Sequence, residues 1–122
     1  MNTINILGTE YQLFRLDSSD PLFIDGIYGR CDSYLKKIYI RILDQSGINS
    51  SKPKQWFYLN ELEALHHEIV HAYLNECGLK YNTYSSVAWS QNEEMIDWIA
   101  CMTEKISNTF KEAEQWLGSY FN

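Results

Sequence analysis

The hydrophobic period of the chain changes near residue 58, and that change limits the architectures open to it. Before this point, short runs alternate apolar and polar residues in the manner of strands: INIL, EYQLFRL after a Gly-Thr turn, GIYGRC, and KKIYIRIL. The last is the clearest, because Ile38, Ile40 and Ile42 alternate with Tyr39 and Arg41. DSSDP (17–21) and DQSGINSSKPK (44–54) separate these runs with turn chemistry. After residue 58 the spacing becomes helical. Asn60 with Glu63 has the form of an N-cap and capping box, and Gly78 suits a C-terminal stop, so a helix is expected over about 61–77. A loop, YNTYSSVAW (81–89), leads to Ser90 with Glu93, a second capping box, opening a helix to about Ile106. Thr109 with Glu112 starts a third helix carrying Phe110, Ala113, Leu117 and Tyr120, or one bent helix continues through Asn108.

A chain of 122 residues fits one domain with one core. The expected fold is therefore α+β. A small antiparallel or mixed sheet of three to four strands (residues 1–57) packs on a helical half (58–122) with one or two further C-terminal helices. Charge divides along the same line. Residues 1–57 hold seven Lys/Arg against six Asp/Glu, and residues 58–122 hold three against ten. There is no basic patch to serve nucleic acid. Three widely spaced cysteines, Cys31, Cys77 and Cys101, form no CxxC, which argues against a zinc knuckle or a disulfide framework and for a reducing, cytoplasmic setting. No run approaches the ~18 apolar residues of a membrane span.

The chemistry concentrates in LHHEIVHAYL (65–74), which contains all three histidines. His67 and His71 are four apart, so on a helix they project from one face, one turn above the other. Two imidazoles so placed can reach one zinc ion at ~2.0–2.1 Å. Glu68 stands about 100° round the helix from His67, where a general base for an attacking water belongs. His66 projects instead towards Leu62, Ile69, Tyr73 and Cys77, and is read as a packed histidine. A catalytic zinc site needs a third protein ligand and one open position. SQNEEMIDWIA (90–100) offers Glu93 as that ligand and Asp97, one turn on, as acceptor for the outer N–H of a liganding histidine. Glu94 is the alternative ligand, and the bland reading makes Glu93 a capping acid in a solvated acidic turn.

HEIVH followed by NEEMID resembles the HExxH…NExxxD pattern of gluzincin metallopeptidases, the thermolysin-like group. In that pattern the glutamate after asparagine is the third zinc ligand and the aspartate supports a histidine; by position these are Glu93 and Asp97. The order of strands, HExxH helix and E-x-x-x-D-x-x-A helix looks like the minimal zincin-like members, the ImmA/IrrE-like peptidases and related small proteins of phages and prophages. NILGTEY, GIYGRCDSYLKKIYI, HHEIVHAYLNECGL and AWSQNEEMIDWIA carry the likeness over most of the chain. It implies a zinc metallopeptidase acting on a protein or peptide, with a repressor-type regulator as the implied substrate class. The oxyanion donors of the thermolysin group lie on segments absent here; Tyr81 and Tyr84 are candidates by location only. KKIYIRIL is expected to present a sheet edge beside which an extended peptide could add, or to carry its Lys and Arg as edge protection. Two other functions compete. One is a non-catalytic zinc module that binds a protein; the other is a metal-free interaction domain using Tyr81, Tyr84 and Trp89.

Overall fold

The computed structural model describes residues 2–43, 51–78 and 93–122, with residues 93–97, 100 and 101 described by their backbone alone. Four strands form one mixed sheet: β1 (Thr3–Ile6), β2 (Thr9–Leu16), β3 (Gly29–Asp32) and β4 (Lys37–Arg41). Two helices follow, α1 (Lys54–Glu76) and α2 (Glu93–Gly118). The α+β expectation holds at this level.

Local chemistry sets the two hairpins. Leu7 and Gly8 both take positive φ, 52° and 90°, which is the two-residue turn whose twist suits antiparallel strands. Asn5 Oδ1 accepts the Gly8 N–H (2.8 Å) and ties the turn down. In the second hairpin Asp32 Oδ1 accepts the N–H groups of Tyr34 (3.0 Å) and Leu35 (2.9 Å). The spatial order is β1-β2-β4-β3, with β2 and β4 parallel and the other pairs antiparallel. This corrects the reading of KKIYIRIL as an edge. β4 is laddered on both sides, and β3 is the outer strand beside it. Alternation reports which face of a strand is buried; it carries no information on whether a neighbour lies on each side.

One face of the sheet carries Ile4, Ile6, Tyr11, Leu13, Ile38 and Ile40, all buried. They pack with Leu65, Ile69, Ala72 and Tyr73 of α1 and with Ala113 and Leu117 of α2. Each fully buried aliphatic side chain contributes about 1.5–3 kcal/mol by leaving water. The period that buries Tyr11 and Leu13 also turns Arg15 inward. Its guanidinium is received by the fully buried Glu61, Nε to Oε1 at 2.7 Å and Nη2 to Oε2 at 3.0 Å. Tyr120 and Phe121 lie against the cation, 4.7 and 5.1 Å from ring centroid to guanidinium carbon.

α1 begins at Lys54, directly after Pro53, rather than near residue 61. Asn60 is an interior residue, and its Nδ2 donates to the Trp56 carbonyl one turn back (2.8 Å). An asparagine in that use imitates a capping box in sequence without ending anything. The far end matches expectation: Gly78 is left-handed (φ 79°) and its N–H reaches the Asn75 carbonyl (3.1 Å). α2 is a single helix through Asn108, the second of the two readings. Thr109 caps nothing. It is buried, with Oγ1 2.5 Å from the Tyr73 hydroxyl and 3.1 Å from the Lys105 carbonyl. No described helix is long and apolar enough to cross a membrane.

Candidate metal centre

Three glutamates of α1 are packed towards the sheet, and their surroundings differ. Glu61 is neutralised by Arg15. Near the other end, Glu76 accepts hydrogen bonds from Thr9 Oγ1 (2.9 Å), Tyr11 Oη (2.8 Å) and Lys36 Nζ (2.7 Å). Burial alone would raise the Glu76 carboxyl; the bonds from Lys36, Tyr11 and Thr9 outweigh it and hold the group below its usual range. Between them stands Glu68, only 7% exposed, with no Lys or Arg ion pair among the described residues. Burial pushes its carboxyl up. The neighbouring His67 and the Cys31 backbone N–H act in the opposite direction. A buried acid held without a cation is costly to fold around, which marks it as a candidate for chemistry.

The sheet makes room for this acid at one residue. A Cβ on Gly29 would stand 3.0 Å from Glu68 Cγ, 3.2 Å from Glu68 Oε2 and 3.2 Å from the Tyr39 carbonyl oxygen. The strand therefore meets Glu68 with bare backbone. The sequence carried a hint of this, since a glycine inside a strand pattern marks a close approach. A cavity of ≈ 370 Å³ lies beside the contact, lined by Ile27, Tyr28, Asn60, Glu63, Ala64 and His67 among others.

On the solvent side of Glu68, His67 and His71 come together as the helical spacing requires. Their Nε2 atoms are 3.1 Å apart, with ring centroids at 4.8 Å and planes at 70°. Two nitrogens each ~2.0–2.1 Å from one tetrahedral zinc would be ~3.3 Å apart. The side chains thus stand close to a chelating geometry without rearrangement. Burial, and then the neighbouring His67, hold His71 below the usual histidine range, which favours the neutral ring a metal needs. His66 points elsewhere, as expected. Its ring stacks on Phe110 (centroids 4.0 Å, 15°), and Nε2 is 3.3 Å from Glu114 Oε1. That Nε2 is buried without an aligned hydrogen bond, and burial holds the ring below the usual histidine range against the opposing pull of Glu114.

Among the described residues, no group of three His, Cys, Asp or Glu side chains converges as a metal site. The expected third ligand, Glu93, its partner Asp97 and the alternative Glu94 have side chains outside the described set. Tyr81, Tyr84 and Trp89 also lie outside the described residues. The helix register bears on Glu93 through its backbone. α2 runs antiparallel to α1: Trp98 Nε1 donates to Cys77 Sγ (2.8 Å), Tyr73 meets Lys105 and Thr109, and His66 meets Phe110 and Glu114. His71 is then level with roughly residue 105, and a straight α2 carries the Glu93 backbone roughly 18 Å further along the axis at ~1.5 Å per residue. For Glu93 to join the pair, the first turns of α2 must leave that line. Cleft residues that the sequence reading did not single out are Tyr28, Gly29 and, as a wall, Glu63.

No family model, no curated protein and no solved structure matches this chain.

Proposed function

We propose that this chain is a zinc-dependent metallopeptidase of zincin-like type, with His67 and His71 as metal ligands and Glu93 as the third, supported by Asp97. The observation that carries the reading is the pairing of a buried Glu68, with no Lys or Arg ion pair among the described residues, with two imidazole nitrogens 3.1 Å apart on the adjoining helical face. A purely structural zinc site has no use for that acid.

Zinc, when bound, supplies a Lewis acid that polarises a carbonyl and makes water more acidic. The chain's own residues do the rest. His67 and His71 present neutral nitrogens. Glu68 takes a proton from the attacking water as the new C–O bond forms, and returns it to the leaving amine as the C–N bond of the peptide breaks. Its raised affinity for a proton suits this role, because a base useful near neutral pH needs a carboxyl above the ordinary range. The outer side of β3, rather than β4, is where an extended peptide could lie beside Glu68, next to the Cys31 N–H that meets the Glu68 carboxylate. The substrate is a protein or peptide, with a regulatory protein as the class that the family resemblance suggests.

Elemental analysis of protein purified without chelators should give about one zinc per chain. His71→Ala should remove it, and Glu93→Ala should weaken it. Glu68→Gln should retain zinc and lose proteolysis. Zinc-free protein would remove the reading altogether. Zinc retained in Glu93→Ala at full affinity would remove only the third-ligand assignment. A non-catalytic zinc module would be indicated if Glu68→Gln left function intact.

A further inference from the structure

The cleft beside His67 has a chemical bias that the proposed reaction does not require. Its wall on the strand side is Ile27 and Tyr28, and its floor on α1 is Ala64, whose small side chain leaves the space open. Glu63 and Asn60 complete the helical side. Among the described residues, neither Lys nor Arg lines the cavity. Glu63 is exposed and makes no ion pair among the described residues. This contrasts with Glu61 and Glu76 on the same helix, which hold Arg15 and Lys36. Asn60 uses one N–H of its amide on the Trp56 carbonyl, and its oxygen can accept from a donor. With Glu68 at the inner end, the described lining offers two carboxylates, the Tyr28 phenol and the His67 imidazole, and no Lys or Arg to offset the two acids.

We propose that this cavity receives a lysine or arginine side chain flanking the cleaved bond, and that Glu63 selects it. This rests on the metallopeptidase reading and names its substrate class. β3 and α1 ascend together: Gly29 packs on Glu68, and Asn75 Nδ2 lies 3.9 Å from Cys31 Sγ. A peptide laid along the outer side of β3 therefore crosses Glu68 and continues over Ala64 towards Asn60. A long side chain turned down there lays its aliphatic stem on Ile27 and the Tyr28 ring, and its cationic tip between Glu63 and the Asn60 oxygen. An acidic side chain in the same place meets Glu63 and Glu68 and is repelled. Because Glu63 is solvated, selection is modest, roughly two- to fivefold, in keeping with an exposed charge pair.

The test uses the full chain loaded with zinc and three short peptide hydroxamates that differ only in a lysine, leucine or glutamate side chain. Calorimetry should show the lysine probe binding roughly two- to fivefold more tightly than leucine, and glutamate weakest. Glu63→Gln should erase the lysine preference, and Glu63→Lys should reverse it in favour of glutamate, with zinc content unchanged in both. Zinc bound with equal affinity for lysine and leucine, or a lysine preference that survives Glu63→Gln, overturns the cleft assignment and leaves the metallopeptidase reading standing. Failure of the protein to hold zinc overturns both.

Discussion

Gly29→Ala probes the fit between the sheet and the buried acid, and its outcome can be worked out from three distances. The added Cβ would lie 3.0 Å from Glu68 Cγ, 3.2 Å from Glu68 Oε2 and 3.2 Å from the Tyr39 carbonyl oxygen. Carbon atoms rest comfortably at ~3.5–4.0 Å, so roughly half an ångström or more must be found. Tyr39 sits in the middle of β4, paired with Arg30, and its carbonyl has little freedom to retreat. The strain falls on Glu68, whose carboxylate must swing away from the Cys31 N–H. Overpacking of this kind costs about 1–3 kcal/mol. An unstrained Gly→Ala change would instead stabilise by ~0.4–1 kcal/mol through the unfolded chain, so even the sign is informative. Urea unfolding followed by tryptophan fluorescence measures it. In a Glu68→Ala background two of the three contacts vanish, and the cost of Gly29→Ala should fall below about 1 kcal/mol. The coupling from this double-mutant cycle should reach about 1–2 kcal/mol. Equal cost in the two backgrounds, or a stabilised Gly29→Ala, refutes the fit. In zinc-loaded protein the same change should lower kcat of the proposed peptidase reaction about a hundredfold with zinc retained, since a ~1 Å misplacement of a reacting group has that effect.

Other outcomes follow from charge. Burial raises the Glu68 carboxyl, so its protonated form is the one the fold prefers; that contribution is present below the ordinary glutamate range and is lost as pH rises through the raised value. Metal-free Glu68→Gln should therefore melt higher than wild type at pH 7.5, with the gap closing towards pH 4; a lower melting point at pH 7.5 would contradict this. His71 has the opposite sense: its depressed proton affinity gives stability above the ordinary histidine range that is lost as pH falls. Metal-free His71→Gln should lose less stability than wild type between pH 7.5 and 5.5, as urea midpoints will report. Glu61→Ala removes the carboxylate that receives the Arg15 guanidinium, whose side chain is 9% exposed, and should cost about 3–5 kcal/mol in the same urea assay.

The alternation of Ile38 and Ile40, the turn at Gly8 and the stop at Gly78 were legible because each is settled by nearest neighbours along the chain. The histidine pair was legible for the same reason, since an i, i+4 relation on a helix is local. The first turns of α1 were not. Trp56, Phe57 and Tyr58 are consecutive aromatics that favour neither period, and Asn60 with Glu63 offered a false start two residues past the end of that run. The interior place of β4 was hidden as well, because its parallel partner β2 lies on the other side of β3 in sequence. Its flanking Lys and Arg suggested an edge that the ladder does not have. The contact of Gly29 with Glu68 depends on sheet and helix meeting, and no window of sequence contains both.

The sheet is two hairpins joined at one seam. β1–β2 and β3–β4 are each closed by a short turn, whereas β2 meets β4 only after the chain has travelled through the whole second hairpin. Hairpins of this size form in microseconds, while distant pairing must first overcome loop closure. Leu13 and Ile38, opposite one another at the seam, should thus govern the rate at which the molecule assembles. Glu76 grips Thr9 and Tyr11 from the first hairpin and Lys36 from the second, so one carboxylate clasps the two halves once they have docked.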